Sequence, residues 1–140
     1  EEIRSKFYPW LSANELDEPT LFAPIATVAA FRKGEEWRRQ MLAYIEDNIR
    51  FVEDFCKANI PAIRPLRPQA SFLIWLNCRE LNLSHDQLLD LFIDKAHLAL
   101  NDGEMFGPGG EGFMRLNVAE PRSVLKQALQ QLSEAVRGLN

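Results

Sequence analysis

Arg115 is the residue of this chain whose type and setting most plainly call for chemistry. It sits inside Phe113-Met114-Arg115-Leu116-Asn117-Val118, a largely apolar run with the alternation of a strand. Side chains alternate faces along a strand. Met114, Leu116 and Val118 therefore share one face, the expected core face, and Phe113, Arg115 and Asn117 share the other. Desolvating a guanidinium without a partner costs on the order of several kcal/mol, so something anionic should meet it. Two partners compete. One is an internal carboxylate, from Glu104, Glu111 or Glu120. The other is a ligand carboxylate, which the planar guanidinium fork would hold through two parallel hydrogen bonds. Spacing alone favours the internal ion pair.

The other candidate motifs are weaker. Gly107, Gly109, Gly110 and Gly112 crowd residues 105–112, but no lysine lies within or directly after them, and Glu104 and Glu111 would repel a phosphate. The segment reads as a mobile loop joining two strands, able to cover a substrate. Ser123 and Lys126 have the S-x-x-K spacing, yet the companion S-D-N and K-T-G motifs are absent, and the match reads as chance. His85 and His97 have no carboxylate or cysteine at metal-ligand spacing on a shared face, so no metal site is expected. Cys56 and Cys78 are too few for a disulfide scaffold and show no activating pattern. Reduced thiols and a cytoplasmic setting are the default reading.

These side chains need elements to hold them. Residues 1–20 read as an arm with irregular or short helical structure, and residues 21–33 as a helix with Pro24 near its start. From residue 35 to 58, Met41, Tyr44, Ile45, Ile49, Val52 and Cys56 recur at steps of mostly three and four, which predicts a long amphipathic helix able to connect two lobes. Pro61, Pro65 and Pro68 then predict a stiff connector. Residues 70–78 are almost continuously apolar and read as a strand covered on both faces. Ser84 and Gln87 have capping-box spacing before a further helix. Residues 97–101 read as a short strand with a turn at Asp102-Gly103, and residues 113–119 as another strand. Pro121 suits the first turn of a last helix with core stripe Val124, Leu125, Ala128, Leu129, Leu132 and Val136. The fold class is α+β: a small antiparallel or mixed sheet covered by helices, with one long helix.

Composition narrows the function classes. The 140 residues are 46% hydrophobic and 26% charged, which excludes wholesale disorder. A net charge of −4 disfavours nucleic acid as a partner. Apolar runs such as residues 72–76 are too short for a membrane span. Glu1-Glu2-Ile3-Arg4 has neither the pattern of a signal peptide nor an initiator Met, so the chain reads as processed or cut from a longer one.

The segment Asn101-Asp102-Gly103-Glu104-Met105-Phe106-Gly107, then Gly110-Glu111-Gly112-Phe113-Met114-Arg115-Leu116-Asn117-Val118-Ala119 and Pro121-Arg122-Ser123, resembles the C-terminal part of class I/II aminotransferases. It is most similar to their cystathionine β-lyase-like (C–S lyase) branch. Residues 70–78 with Arg79-Glu80-Leu81, and the Gly34-Glu35-Glu36-Trp37 helix start, carry the same resemblance. It implies that residues 1–33 are a remnant arm of a large cofactor-binding domain and residues 34–140 the small domain. It implies pyridoxal 5'-phosphate in the intact enzyme, an amino-acid substrate, a homodimer, and Arg115 as the ligand of the substrate α-carboxylate, with Asn117 supporting it. The family's Schiff-base lysine has no counterpart among Lys6, Lys33, Lys57, Lys95 and Lys126. The expectation is therefore that this chain holds no catalytic residue, binds no cofactor or metal and is inactive alone. Two alternatives stand beside the lyase: an aminotransferase proper, and a non-enzymatic module that binds amino acids.

Overall fold

The computed structural model describes residues 1–139; the chain divides into two compact units with the boundary between Met41 and Leu42. The first unit contains α1 (Glu2–Ala13) and α2 (Ala23–Lys33), and the division falls inside α3 (Glu35–Asn59). The expected arm is thus largely helical, with Pro9 inside α1 and a proline at the first turn of α2. Neither helix buries a residue, and Ile3, Leu21, Phe22 and Phe31 are all largely exposed.

The second unit contains the sheet. Its strands are β1 (Arg64–Leu66), β2 (Leu73–Asn77), β3 (Asn101–Asp102) and β4 (Phe113–Asn117), in the order β1-β2-β4-β3. All three pairings are antiparallel. Between β2 and β3 lie α4 (His85–Asp90) and a π-helical turn, Leu91–Lys95; α5 (Arg122–Arg137) closes the chain. The architecture is the α+β layer expected.

The alternation of β4 works as the pattern requires. Met114, Leu116 and Val118 are buried, and the ladder partners of the first two, Leu76 and Ile74, are buried with them. In α3 the buried positions are Ile45, Asn48, Ile49, Val52 and Cys56, a stripe at helical spacing. In α5 they are Leu125, Leu129, Leu132, Ser133 and Ala135, while Val124 is exposed, against expectation. Leu88, Leu91 and Phe92 complete this core.

The structure differs from the sequence reading in four places. The proline connector contains β1, an edge strand, where a proline's missing N–H is tolerated. β2 is buried on one face only: Ile74 and Leu76 are inside, whereas Leu73, Trp75 and Asn77 are half-buried. The strand expected at residues 97–101 begins only at Asn101, because His97 takes the left-handed conformation (φ +55°). There it closes the preceding helical turn as a glycine would, with Leu98 N–H donating to Phe92 O at 2.7 Å. Finally, Pro121 stands immediately before the first helical residue of α5 rather than within its first turn.

The capping box forms as read. Ser84 Oγ accepts from Gln87 N–H at 3.3 Å, and Gln87 Oε1 accepts from Ser84 N–H at 2.9 Å. A second link ties the last strand to α3. The buried Asn48 amide donates to Val118 O at 2.8 Å and Glu120 O at 3.0 Å, and its oxygen accepts from Arg122 Nε at 2.7 Å. The Arg122 guanidinium also lies 4.5 Å from the centre of the Phe51 ring.

Candidate functional site

The open face of the sheet carries the site. The ladder places Leu66 opposite Trp75, Trp75 opposite Arg115, and Arg115 opposite Asn101. Directly paired residues share a face, so these four side chains form one row across all four strands. Arg115 stands in it between an indole and an amide.

Arg115 makes no ion pair among the described residues. Its Nη2 donates to Asn101 Oδ1 at 2.8 Å, and the Phe106 ring lies 4.4 Å from its guanidinium carbon. Its Nε is buried and has no acceptor among the described residues. Of the three candidate carboxylates, Glu104 pairs with His85 Nδ1 at 3.0 Å, while Glu111 and Glu120 are exposed and pair with nothing at Arg115. The ion pair favoured by spacing is thus not formed. A buried donor without an acceptor costs about 1–3 kcal/mol, and each one in a native structure calls for an explanation, of which a ligand that completes it is one.

Asn117 and Arg115 emerge on the same face, but Asn117 is exposed and its Oδ1 accepts from Ala119 N–H at 2.9 Å. Asn117 shapes the end of β4, and the contact to Arg115 comes from Asn101. Asn101 and Phe106 are the site residues missed by sequence reading. The two strands read at residues 97–101 and 113–119 held the signal for Asn101, since pairing β3 with β4 puts an amide opposite the arginine.

The glycine-rich segment is firmly built into the hairpin. Gly103 N–H donates to Phe113 O at 2.9 Å, and Gly103 and Gly110 pack backbone to backbone. A Cβ on Gly103 would lie 2.2 Å from Gly110 O, and one on Gly110 would lie 2.0 Å from Gly103 O. Arg79 straps the loop from outside. Its Nε donates to Glu111 O at 3.0 Å, its Nη2 to Gly109 O at 3.2 Å, and its guanidinium lies 4.6 Å from the centre of the Phe113 ring. His85 braces the other side, with Nε2 at 3.4 Å from Asp102 Oδ2. Between loop and sheet is a recess of about 270 Å³, bounded by Leu66, Trp75, Phe106, Pro108 and Phe113.

Cys56 and Cys78 are buried and unpaired, and burial pushes both thiols up to about 12. They are unsuited to nucleophilic work, since the thiolate is the reactive form. No group of three or more His, Cys, Asp or Glu side chains among the described residues is arranged to hold a metal ion. No described helix is long and apolar enough to cross a membrane.

No family model matches the chain. Individual proteins do. It is 36% identical to cystathionine beta-lyase PatB of Bacillus subtilis over 95% of its own length and 34% of the relative's. It is 32% identical to the protein MalY of Escherichia coli over 89% of its length and 32% of the relative's. Among solved structures, a PLP-bound aminotransferase-type protein of Clostridium difficile 630 superposes with a TM-score of 0.87 at 33% identity, over 91% of this chain and 33% of that one. Cystalysin from Treponema denticola, which contains pyridoxal 5'-phosphate, superposes with a TM-score of 0.76 at 32% identity, over 79% and 28%. The chain thus spans about a third of the length of the relatives it matches. Its α+β layer is that of the aminotransferase-type small domain.

Proposed function

From a chain homologous to the pyridoxal-phosphate-dependent C–S lyases and aminotransferases, we propose that it is the C-terminal, carboxylate-recognising part of a C–S β-lyase acting on amino acids. Residues 34–140 form the small domain and residues 1–33 an arm of the larger one. The unburied helices α1 and α2, with their exposed apolar side chains, support that assignment of the arm.

One observation carries the reading: Arg115 lies on the open sheet face, held by a neutral amide and an aromatic ring, with no carboxylate of its own. An arginine paired internally would have its charge spent. This one keeps it for an incoming anion. The Asn101 amide turns the fork, Phe106 covers one face, and a substrate carboxylate supplies the missing acceptor. Each hydrogen bond to a charged group is worth about 1.5–3 kcal/mol. Fixing the acid end also fixes which bond at Cα faces the reacting groups, and orientation of this kind lowers barriers.

On this reading the cofactor anchor and the proton-transferring groups belong to the larger domain, and the chain alone is inactive. The lysines of the second unit, Lys57, Lys95 and Lys126, are exposed and none borders the recess, which supports it. On the same reading the intact protein is a homodimer, and the two unpaired cysteines of this chain suit a reducing cytoplasm.

The test is substrate discrimination by Arg115→Ala in the full-length enzyme. A loss confined to substrates with a free α-carboxylate supports the reading. Tight binding of free amino acids by the 140-residue chain alone would favour the non-enzymatic module instead.

A further inference from the structure

We propose that the recess beside Arg115 receives the side chain of the same amino acid, and that it selects uncharged apolar or aromatic β-substituents over acidic ones. The proposal rests on the reading of Arg115 as the carboxylate ligand and adds the substrate class.

The register supplies the direction. Leu66, Trp75 and Arg115 lie in one row, and neighbouring strands are about 4.8 Å apart. Trp75 thus begins one strand spacing from the arginine, and Leu66 lies two away. Phe106 belongs to both sites. It stacks on Arg115 and meets Trp75 edge-on, with ring centres 5.3 Å apart. Phe113 meets Trp75 in the same manner at 6.3 Å, so three rings form one continuous wall. An amino acid anchored by its acid end at Arg115 has its β-substituent within reach of that wall.

The lining supplies the selectivity. Leu66, Trp75, Phe106, Pro108 and Phe113, with glycine backbone, present no charged side chain. Of the cations nearby, Arg79 spends Nε and Nη2 on Glu111 O and Gly109 O and lies over Phe113, and Arg64, opposite Asn77 on the edge strand, pairs with Glu80. An acidic substituent would lose its water and gain no partner. A thioether or aromatic ring would gain contact with ring faces and edges, which sulfur favours. Even one methylene in such a pocket discriminates by about 10–200-fold. At about 270 Å³, the recess suits a side chain rather than a whole drug-sized ligand.

The experiment measures kcat/KM of the full-length holoenzyme for S-benzyl-, S-methyl- and S-carboxymethyl-L-cysteine. Wild type should prefer the benzyl over the carboxymethyl substrate at least tenfold. Leu66→Glu changes a half-exposed residue of an edge strand, with Leu66→Ala as the milder variant. Leu66→Glu should lower the benzyl-to-methyl ratio of kcat/KM at least fivefold, with Leu66→Ala changing it in the same direction. Equal use of benzyl and carboxymethyl substrates by wild type, or an equal loss on benzyl and methyl in both variants, overturns the proposal. The second result would mean that another segment of the protein fills the recess. Arg115→Ala separates the two readings. If it spares all three substrates, the carboxylate assignment fails; if it impairs all three while Leu66→Glu does not discriminate, only the recess proposal fails.

Discussion

Asn101 and Arg115 face each other across the β3–β4 ladder, and the asparagine oxygen accepts a 2.8 Å hydrogen bond from Arg115 Nη2. A neutral amide thereby orients the guanidinium without consuming its charge. A glutamate at that position would neutralise it and compete with any anionic ligand.

Asn101→Ala should accordingly weaken amino-acid binding by roughly fivefold, about 1 kcal/mol, the typical net worth of one hydrogen bond. Steady-state KM, or substrate affinity by calorimetry, checks this in the full-length enzyme. Unchanged binding would show that Arg115 is held by Phe106 and the strand alone.

Gly110→Ala should destabilise the hairpin, because the added methyl would sit 2.0 Å from the Gly103 carbonyl oxygen, which is backbone and cannot swing aside. Overpacking of this kind costs about 1–3 kcal/mol. Thermal unfolding of the 140-residue chain reads it directly. An unaltered midpoint would mean that the loop opens freely.

Asn48→Ala removes three hydrogen bonds at once, leaving Val118 O, Glu120 O and Arg122 Nε without that partner. Stability should fall by about 2–4 kcal/mol. Urea unfolding measures it, and a change below 1 kcal/mol, the worth of a single ordinary bond, would contradict the account.

The thiols set an alkaline limit. Burial raises Cys56 and Cys78 from their ordinary value of 9.0 to about 12, because it disfavours the thiolate. In the unfolded chain they ionise near the ordinary value, so above pH 9 the unfolded state binds fewer protons than the native one. Stability is therefore full below pH 9 and falls as pH rises from there towards 12, by up to about 1.4 kcal/mol per pH unit per thiol. Denaturant melts at pH 8, 9 and 10 test this, and replacing both cysteines with alanine should remove the slope.

The limits of sequence reading follow from where each feature is encoded. The two faces of β4 were legible because alternation is local: Met114, Leu116 and Val118 point inward with no reference to distant residues. The capping box and the long α3 were legible for the same reason. β1 was not, because three residues around Pro65 carry no period and become a strand only through Leu76 and Trp75. The partner of Arg115 was not legible, because charge and spacing point to Glu104, Glu111 or Glu120, whereas Glu104 pairs with His85 and the other two are exposed. Register chooses between them: Asn101 is the residue opposite, and its neutrality is invisible to an argument that looks only for an opposite charge.

The most direct measurement compares kcat/KM for an amino-acid substrate and its α-carboxamide in the full-length enzyme, wild type against Arg115→Ala and Arg115→Lys. The account predicts a loss of at least a hundredfold for the acid in the alanine variant, with incomplete recovery in the lysine variant because the planar fork is gone. The carboxamide should change by less than threefold. An equal loss for acid and carboxamide would contradict the claim that Arg115 holds the substrate's carboxylate.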